Sequence, residues 1–171
     1  MQFSRKTKLH IWAAIIVALL FCPSFSFAVE TVITSANPKL IMEFPEGLNS
    51  AKGDSFKLVF TGPETDPSAK LSDTSGKSSF WDGSFWSNYN VIFLNPNGIT
   101  FGANANIQAA SFIASTFNLT DDNFLHPEKY NNSYIFSKWV DKAGQSVINN
   151  GHIKVRESGQ VVLLGSAAAN S

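Results

Sequence analysis

Cysteine is almost absent from this chain of 171 residues, whose one cysteine, Cys22, lies in an apolar stretch near the N-terminus. A single cysteine forms no disulfide within the chain, and a thiolate zinc site needs several cysteines. Histidine is scarce as well. His126 and His152, the two histidines beyond residue 28, are accompanied by neither cysteine nor a cluster of carboxylates. We therefore expect no metal site and no cofactor.

An excess of positive charge is also lacking. The chain has thirteen Lys and Arg residues and thirteen Asp and Glu residues. Three of the basic residues, Arg5, Lys6 and Lys8, precede residue 28, so residues 29–171 carry a formal net charge of −3. Nucleic-acid backbones are bound by clustered positive charge, and no basic stripe is visible beyond residue 28. We expect no nucleic-acid partner.

The N-terminal segment has the pattern of a secretory signal peptide. Its basic start is followed by an apolar run at residues 11–22, and Ser26 and Ala28 supply the small side chains that precede a signal-peptidase cleavage site. The run is shorter than a transmembrane helix, which needs about 20 apolar residues. We expect residues 1–28 to be removed and the protein to be exported through the periplasm and then secreted or held at the cell surface. An uncleaved membrane anchor is the alternative.

Beyond the signal peptide, the sequence shows no long amphipathic helix. Short apolar runs separated by Gly, Asn, Pro and Ser are typical of strands joined by turns. Residues 40–44 and 56–60 are predicted strands, and the later ones are VIFL, ITF, NIQA, SFIAS, HIKV and QVVLL. The polar stretch at residues 61–79 is predicted to be a surface loop. One helical turn is predicted just before Pro127.

An internal repeat indicates how the strands are arranged. Asn97-Gly98 is followed by a strand, a polar turn and a second apolar run that ends in small residues, and Asn150-Gly151 opens the same series. Asparagine and glycine both tolerate the left-handed backbone of tight corners. A unit used twice predicts an all-β solenoid, whose stacked coils bury their apolar faces and align asparagines in rows. A β-sandwich also has short strands and turns, and it stays open as the alternative.

Three acidic residues are candidates for paired catalytic carboxylates: Asp121, Asp122 and Glu128. Paired carboxylates cleave glycosidic bonds, and β-helix proteins include polysaccharide-cleaving enzymes. Acids in a polar turn are more often simply solvated, so we expect no catalytic residues. A carbohydrate-active enzyme is kept as an alternative function.

Four aromatic residues invite two interpretations: Trp81, Trp86, Tyr89 and Trp139. The first is that they cap the open end of the stacked coils, because exposed sheet edges need to be covered. The second is that they form a sugar-stacking patch. We expect the cap.

A series of motifs in residues 80–168 identifies a resemblance. An apolar run at residues 91–94 ends in NPNGI at residues 95–99, and the series continues with Phe101-Gly102, AST at residues 114–116, an acidic asparagine-containing segment at residues 119–125, and INNGHIKVRESGQVVLLG at residues 148–165. This order resembles the haemagglutination-activity, or secretion, domain that begins the exoproteins of two-partner secretion, such as filamentous haemagglutinin. Residues 29–79 match that family poorly.

The resemblance implies a right-handed parallel β-helix with an N-terminal cap and extra-helical strands. It places an atypical cap region at residues 29–79 and the coils at residues 80–171. The domain is expected to be truncated, since the family continues into a long filament where this chain stops at residue 171.

The resemblance also implies a non-enzymatic function. Its partner would be an outer-membrane transporter with periplasmic polypeptide-binding domains, and the secretion motif that the transporter recognises would be Asn95, Pro96, Asn97, Gly98 and Ile99. Adhesion and haemagglutination, through host-cell surfaces or glycans, would belong to a longer exoprotein. A small periplasmic or surface binding module that kept the fold is the remaining alternative.

Overall fold

The computed structural model describes the backbone of residues 7–10, 29–139 and 145–171. The predicted signal peptide thus lies outside the described residues, apart from one short strand. In chain order the strands are β1 (Thr7–His10), β2 (Glu30–Ser35), β3 (Lys39–Phe44), β4 (Ser55–Phe60), β5 (Ser68–Asp73), β6 (Ser79–Trp81), β7 (Ser84–Ser87), β8 (Asn90–Leu94), β9 (Ile99–Phe101), β10 (Asn106–Ala109), β11 (Ser111–Ser115), β12 (Ser146–Asn149), β13 (His152–Val155), β14 (Val161–Leu164) and β15 (Ala167–Asn170).

These strands form three parallel sheets that the chain visits in turn. Sheet A has the order β1-β2-β4-β7-β10-β13, sheet B the order β14-β11-β8-β5-β3, and sheet C the order β15-β12-β9-β6. From β4 onward the chain passes from A to B to C and then begins the next coil. The molecule is therefore a parallel β-solenoid of about five coils, as the sequence predicts, and the β-sandwich alternative is wrong.

The true repeat is one coil, which takes 29 residues from Ser55 to Ser84 and 22 residues from Ser84 to Asn106, and it differs from the repeat inferred from the two Asn-Gly turns. Ser84 of β7 pairs with Asn106 of β10, and Asn90 of β8 pairs with Ser111 of β11. Asn97-Gly98 leads into β9 of sheet C, whereas Asn150-Gly151 leads into β13 of sheet A. The two turns occupy different corners, because a turn and a short strand look alike on every face of the solenoid.

Residues 29–79 continue the same three sheets. The prediction of a surface loop at residues 61–79 is wrong for its middle part, since β5 (Ser68–Asp73) lies between β3 and β8 in sheet B and all six of its residues are buried. Its inward residues, Ala69 and Leu71, alternate with polar ones as in an ordinary half-buried strand. The polar residues were misleading because another part of the chain covers them.

Aromatic side chains fill the interior of the solenoid. Phe56 and Phe85, paired on neighbouring strands of sheet A, stack with ring centroids 5.5 Å apart, and Phe85 contacts Phe112 of sheet B at 6.5 Å. Phe112 also meets Phe101 of sheet C edge-on at 5.6 Å. Side chains from all three sheets thus interlock across successive coils, and such pairs add about 0.5–1.5 kcal/mol each beyond the burial of their area.

One insertion between β11 and β12, of which the structure describes residues 116–139 and 145, packs against the outer face of sheet B at β3, β5 and β8. It contains the short helix α1 (Asp121–Leu125), which confirms the helical turn predicted before Pro127, and a 3-10 helix, Pro127–Tyr130. Thr120 caps α1, since its hydroxyl accepts a hydrogen bond from the Asn123 backbone amide at 3.2 Å. Among the described residues, no helix is long and apolar enough to span a membrane.

The insertion builds a second, smaller core. Leu119 and Phe124 are buried against Ile92 and Leu94 of β8. Lys39 of β3 reaches over the Phe124 ring, with its ammonium 5.2 Å from the centroid, and donates a 2.9 Å hydrogen bond to the Tyr134 hydroxyl. β8 of sheet B is therefore buried on both faces, which explains why its outward residues Ile92 and Leu94 are apolar as well as its inward ones.

Candidate functional site: the corner at residues 95–99

The NPNGI stretch forms the corner between sheets B and C in the third coil. β8 ends at Leu94, Asn95 to Gly98 make the turn, and Ile99 begins β9. The Gly98 amide donates a 3.3 Å hydrogen bond to the Asn95 carbonyl, so Pro96 and Asn97 are the central residues of a four-residue turn. Gly98 has a φ of 110°, in the region that favours glycine. The tight turn that the sequence predicts is confirmed.

Asn95 holds the corner together with both ends of its side-chain amide. The amide nitrogen donates to the Lys77 carbonyl at 2.8 Å and to the Ser79 hydroxyl at 2.7 Å. The amide oxygen accepts from the Asn97 backbone amide at 2.8 Å. The Asn95 backbone amide donates to the Ser115 carbonyl at 3.0 Å. One residue therefore connects the coils before and after its own.

A second polar residue stands at the equivalent position of the previous coil. Ser72 pairs with Leu94, so Asp73 at the end of β5 corresponds to Asn95 at the end of β8. Asp73 is 1 % exposed and accepts hydrogen bonds from the Ser79 hydroxyl at 2.6 Å and from the Leu48 backbone amide at 2.8 Å. The Ser75 hydroxyl donates to its other oxygen at 2.6 Å. Asp73, Ser79 and Asn95 thus form a continuous hydrogen-bonded column along this corner.

Sequence reasoning missed Asp73 and Ser79 as parts of the site. The available signal was that Asp73 ends a strand, much as Asn95 directly follows one, and that each precedes a glycine-containing turn. That signal was lost because residues 61–79 looked like a loop. The predicted row of asparagines does occur elsewhere, where the Asn149 side chain donates to Asn170 at 2.7 Å.

The folded motif is enclosed by the protein. Asn95 is 0 % exposed and Ile99 is 1 % exposed, Pro96 and Gly98 are buried, and only Asn97 is partly accessible. The Asn95 side-chain amide is fully engaged, by the preceding coil and by Asn97 of its own turn. The folded corner therefore offers almost no surface to a partner. A protein that recognised these five residues would have to bind them before the coils stack.

The candidate carboxylates do not converge on a groove. Asp121 pairs with the buried Lys70, and Asp122 accepts from Lys129 and from the Tyr130 hydroxyl, each at 2.8 Å. The hydrogen bonds from Lys129 and Tyr130 hold the pKa of Asp122 below its usual value. Asp121 thus ties the insertion to β5 through Lys70, and Asp122 is held by a cation and a hydroxyl within the insertion.

Glu128 makes a local contact instead, with the ring of His126 at 3.2 Å. His152, the other candidate histidine, lies on the outer face of β13. In the part of the chain that the structure describes, no three His, Cys, Asp or Glu side chains are grouped so as to hold a metal ion.

Trp81, Tyr89 and Trp86 do not lie together, so the expectation that all four aromatic residues share a cap is wrong. Trp81 and Tyr89 are 3 % and 0 % exposed and belong to the interior, where Trp81 packs edge-on to Phe85 at 5.8 Å. Trp86 is 41 % exposed on the outer face of sheet A. The alternation of side chains along β7 explains why Trp86 is exposed, because Phe85 points inward and its neighbour Trp86 must point outward.

No protein-family profile matches the chain, and no curated protein matches its sequence to a significant degree. A function for this chain therefore has to be inferred from its fold and from the corner at residues 95–99.

Proposed function

We propose that this chain is an exported, non-enzymatic secretion domain whose unfolded form is recognised by an outer-membrane transporter. The observation that carries the proposal is the enclosure of Asn95 and its neighbours in the folded corner. A motif whose residues are buried on folding suits a partner that binds the extended, unfolded chain. Extended segments pair with exposed sheet edges through main-chain hydrogen bonds, and side-chain pockets supply selectivity.

The solenoid also suits export by threading. Each coil contacts mainly its neighbours, so folding propagates from coil to coil and needs no contact between distant ends. Residues 29–171 contain no cysteine, so no disulfide locks the chain before it crosses a membrane. Once residues 95–99 are outside, formation of the column from Asp73 to Asn95 stabilises the emerging coils and opposes backward movement.

The proposal is tested by expressing the full chain, with residues 1–28, beside a candidate two-partner transporter. The protein in the culture medium is compared with that in the periplasm for wild type and for Asn97→Ala. Asn97 is the suitable position because its side chain is partly accessible, so its loss disturbs the folded corner less than loss of Asn95. Asn104→Ala, an exposed corner asparagine outside the motif, is the matched control.

We expect release that requires the transporter, that falls in Asn97→Ala and that is unchanged in Asn104→Ala. Purified Asn97→Ala should keep the wild-type circular dichroism spectrum, which separates recognition from folding. Equal release of all three proteins, or retention of all three in the periplasm, would show that the corner is only structural.

A further inference from the structure

A groove of about 330 Å³ runs across the outer face of sheet A, at the corner where the chain turns into sheet B. Three successive coils line it, and it lies apart from the corner at residues 95–99. Its main lining residues are Trp86, Gln108, Ala109, Ala110, Lys154 and Arg156. The volume falls at the lower end of the range for small-ligand sites, about 300–1,000 Å³.

The floor of the groove is low because one corner is unusually short. In the fourth coil only Ala110 separates β10 from β11, and Ala109 and Ala110 have small side chains that are largely buried. The third coil has Asn88 and Tyr89 at the same corner, and the fifth coil has residues 156–160. Asn88 of the third coil and Arg156 of the fifth coil line the groove beside the alanines.

The strand register puts three different chemical groups in one row. Trp86 pairs with Gln108, and Gln108 pairs with Lys154. Neighbouring strands lie about 4.8 Å apart, so the indole and the ammonium start from backbone positions roughly 10 Å apart, with the amide midway. All three side chains are exposed, and the sheet beneath them fixes their spacing.

The Lys154 and Gln108 side chains of this row are available to bind a ligand. Lys154 makes no ion pair within the described residues, and Gln108 makes no side-chain hydrogen bond there. Arg156, at the edge of the groove, donates to Asp66 at 2.7 Å and still exposes half of its side chain. The two cations outnumber the one carboxylate, so the groove favours an anionic ligand.

We propose that this groove binds an acidic oligosaccharide, one that contains a uronic acid. A sugar ring presents an apolar C–H face that fits the exposed indole of Trp86, and its hydroxyl groups match the Gln108 amide. A carboxylate on the next ring lies within reach of the Lys154 ammonium, where a charge-assisted hydrogen bond forms. The row of about 10 Å matches a disaccharide. This site needs no transporter, so the inference is independent of the proposed function.

The test uses the full chain and two matched probes, digalacturonic acid and its neutral counterpart galactobiose. Binding is measured by titration calorimetry and by the NMR shift of the Trp86 indole N–H. Trp86→Ala removes the aromatic platform, and Lys154→Gln removes the charge while keeping a hydrogen-bonding side chain. Phe80→Ala is the control, since Phe80 is 50 % exposed but lies on sheet C.

We expect digalacturonic acid to bind at least tenfold more tightly than galactobiose, and added salt to weaken its binding. Trp86→Ala should lower the affinity for both probes tenfold or more, Lys154→Gln should remove the preference for the acid, and Phe80→Ala should change neither. Three results would overturn the proposal: no binding of the acid, equal binding of both probes, or an equal loss in Phe80→Ala. Unchanged circular dichroism spectra of the variants exclude misfolding as the cause of a loss.

Discussion

The side-chain amide of Asn95 donates a 2.7 Å hydrogen bond to the hydroxyl of Ser79, and that hydroxyl donates to the carboxylate of Asp73 at 2.6 Å. Ser79 therefore uses both its acceptor and its donor capacity to join the second coil to the third. All three residues are buried, so water does not replace a bond that is lost. The corner at residues 95–99 thus couples a sequence motif to the stacking of coils.

Asn95→Ala is expected to destabilise the protein by about 1–3 kcal/mol, because it leaves the Lys77 carbonyl and the Asn97 amide without their partner. Urea denaturation followed by circular dichroism measures the loss. Asn104→Ala removes an exposed corner asparagine that bonds to Asp82 and should cost about 1 kcal/mol or less. Equal losses in the two variants would contradict the structural role given to Asn95.

Lys70 and Asp121 form an ion pair in which only Lys70 is buried, and this difference predicts which substitution destabilises the protein more. The Lys70 side chain is 7 % exposed and also donates to the Leu119 carbonyl at 3.1 Å, whereas Asp121 is 57 % exposed. Asp121→Asn leaves a buried ammonium without its counter-charge and should destabilise the protein by about 1–3 kcal/mol. Lys70→Met replaces the ion with an apolar side chain against the second core and should cost less than Asp121→Asn. Thermal unfolding of both variants decides the order, and the reverse order would show that the pair is not effectively buried.

Asp66 gives the protein an acid-sensitive contact. The hydrogen bonds from Asn90 and Arg156 hold the pKa of Asp66 below its usual value. A folded-state pKa below the unfolded value of about 3.9 means that the contribution to stability is complete above that value. It is lost as the pH falls through the lower, folded-state pKa.

The melting temperature should therefore drop below about pH 4, and Asp66→Asn should make that drop shallower. Glu64→Gln, which changes a carboxylate in the same turn, is the control and should keep the wild-type pH profile. A profile for Asp66→Asn that is parallel to that of wild type would rule out this contact as a source of acid sensitivity.

Cleavage after Ala28 would create a new contact at Val29. The Val29 backbone amide donates to an Asp54 oxygen at 3.0 Å, and the other oxygen accepts from the Ala51 amide at 2.7 Å. In a chain that begins at Val29, this nitrogen is an ammonium group, and the hydrogen bond becomes an exposed ion pair worth about 1 kcal/mol or less.

Asp54→Asn should then lower the melting temperature more in the free-amine form than in the N-acetylated form. The difference should disappear above the α-amino pKa of about 8, where the ammonium loses its charge. Identical effects in both forms at pH 7 would show that the Val29 nitrogen gains nothing from its charge.

The fold could be predicted from the sequence where the strands have an alternating pattern of apolar and polar residues. The predicted strands at residues 40–44 and 56–60 match β3 and β4 closely, because apolar and polar residues alternate there. β5 was missed for a physical reason: its outward residue Lys70 is covered by the insertion, and no local pattern reveals a cover that lies about 50 residues away in the sequence.

The candidate site was only partly visible in the sequence. The turn at residues 95–98 follows from its Asn, Pro and Gly residues, whereas the partners Ser79 and Asp73 depend on which coil lies beneath. That register is a property of the stacked sheets. The groove beside Trp86 could not be predicted either, since it arises from the length of a neighbouring corner rather than from any motif.

A reversible lock on the fold tests whether the motif at residues 95–99 is recognised before the coils stack, as we propose. Ser84 and Asn106 are exposed and directly paired on neighbouring strands of sheet A. Adjacent strands bring their Cα atoms to about 4.8 Å, within the range of a disulfide. The double variant Ser84→Cys/Asn106→Cys therefore joins two coils in an oxidising periplasm, while each single variant leaves them free.

Release into the medium with a co-expressed transporter is the quantity to measure, with and without a reductant. We expect the oxidised double variant to stay in the periplasm, and a reductant to restore release to the level of the single variants. Release of the oxidised, locked protein at the wild-type level would mean that the folded chain is the exported form, and the claim would be wrong.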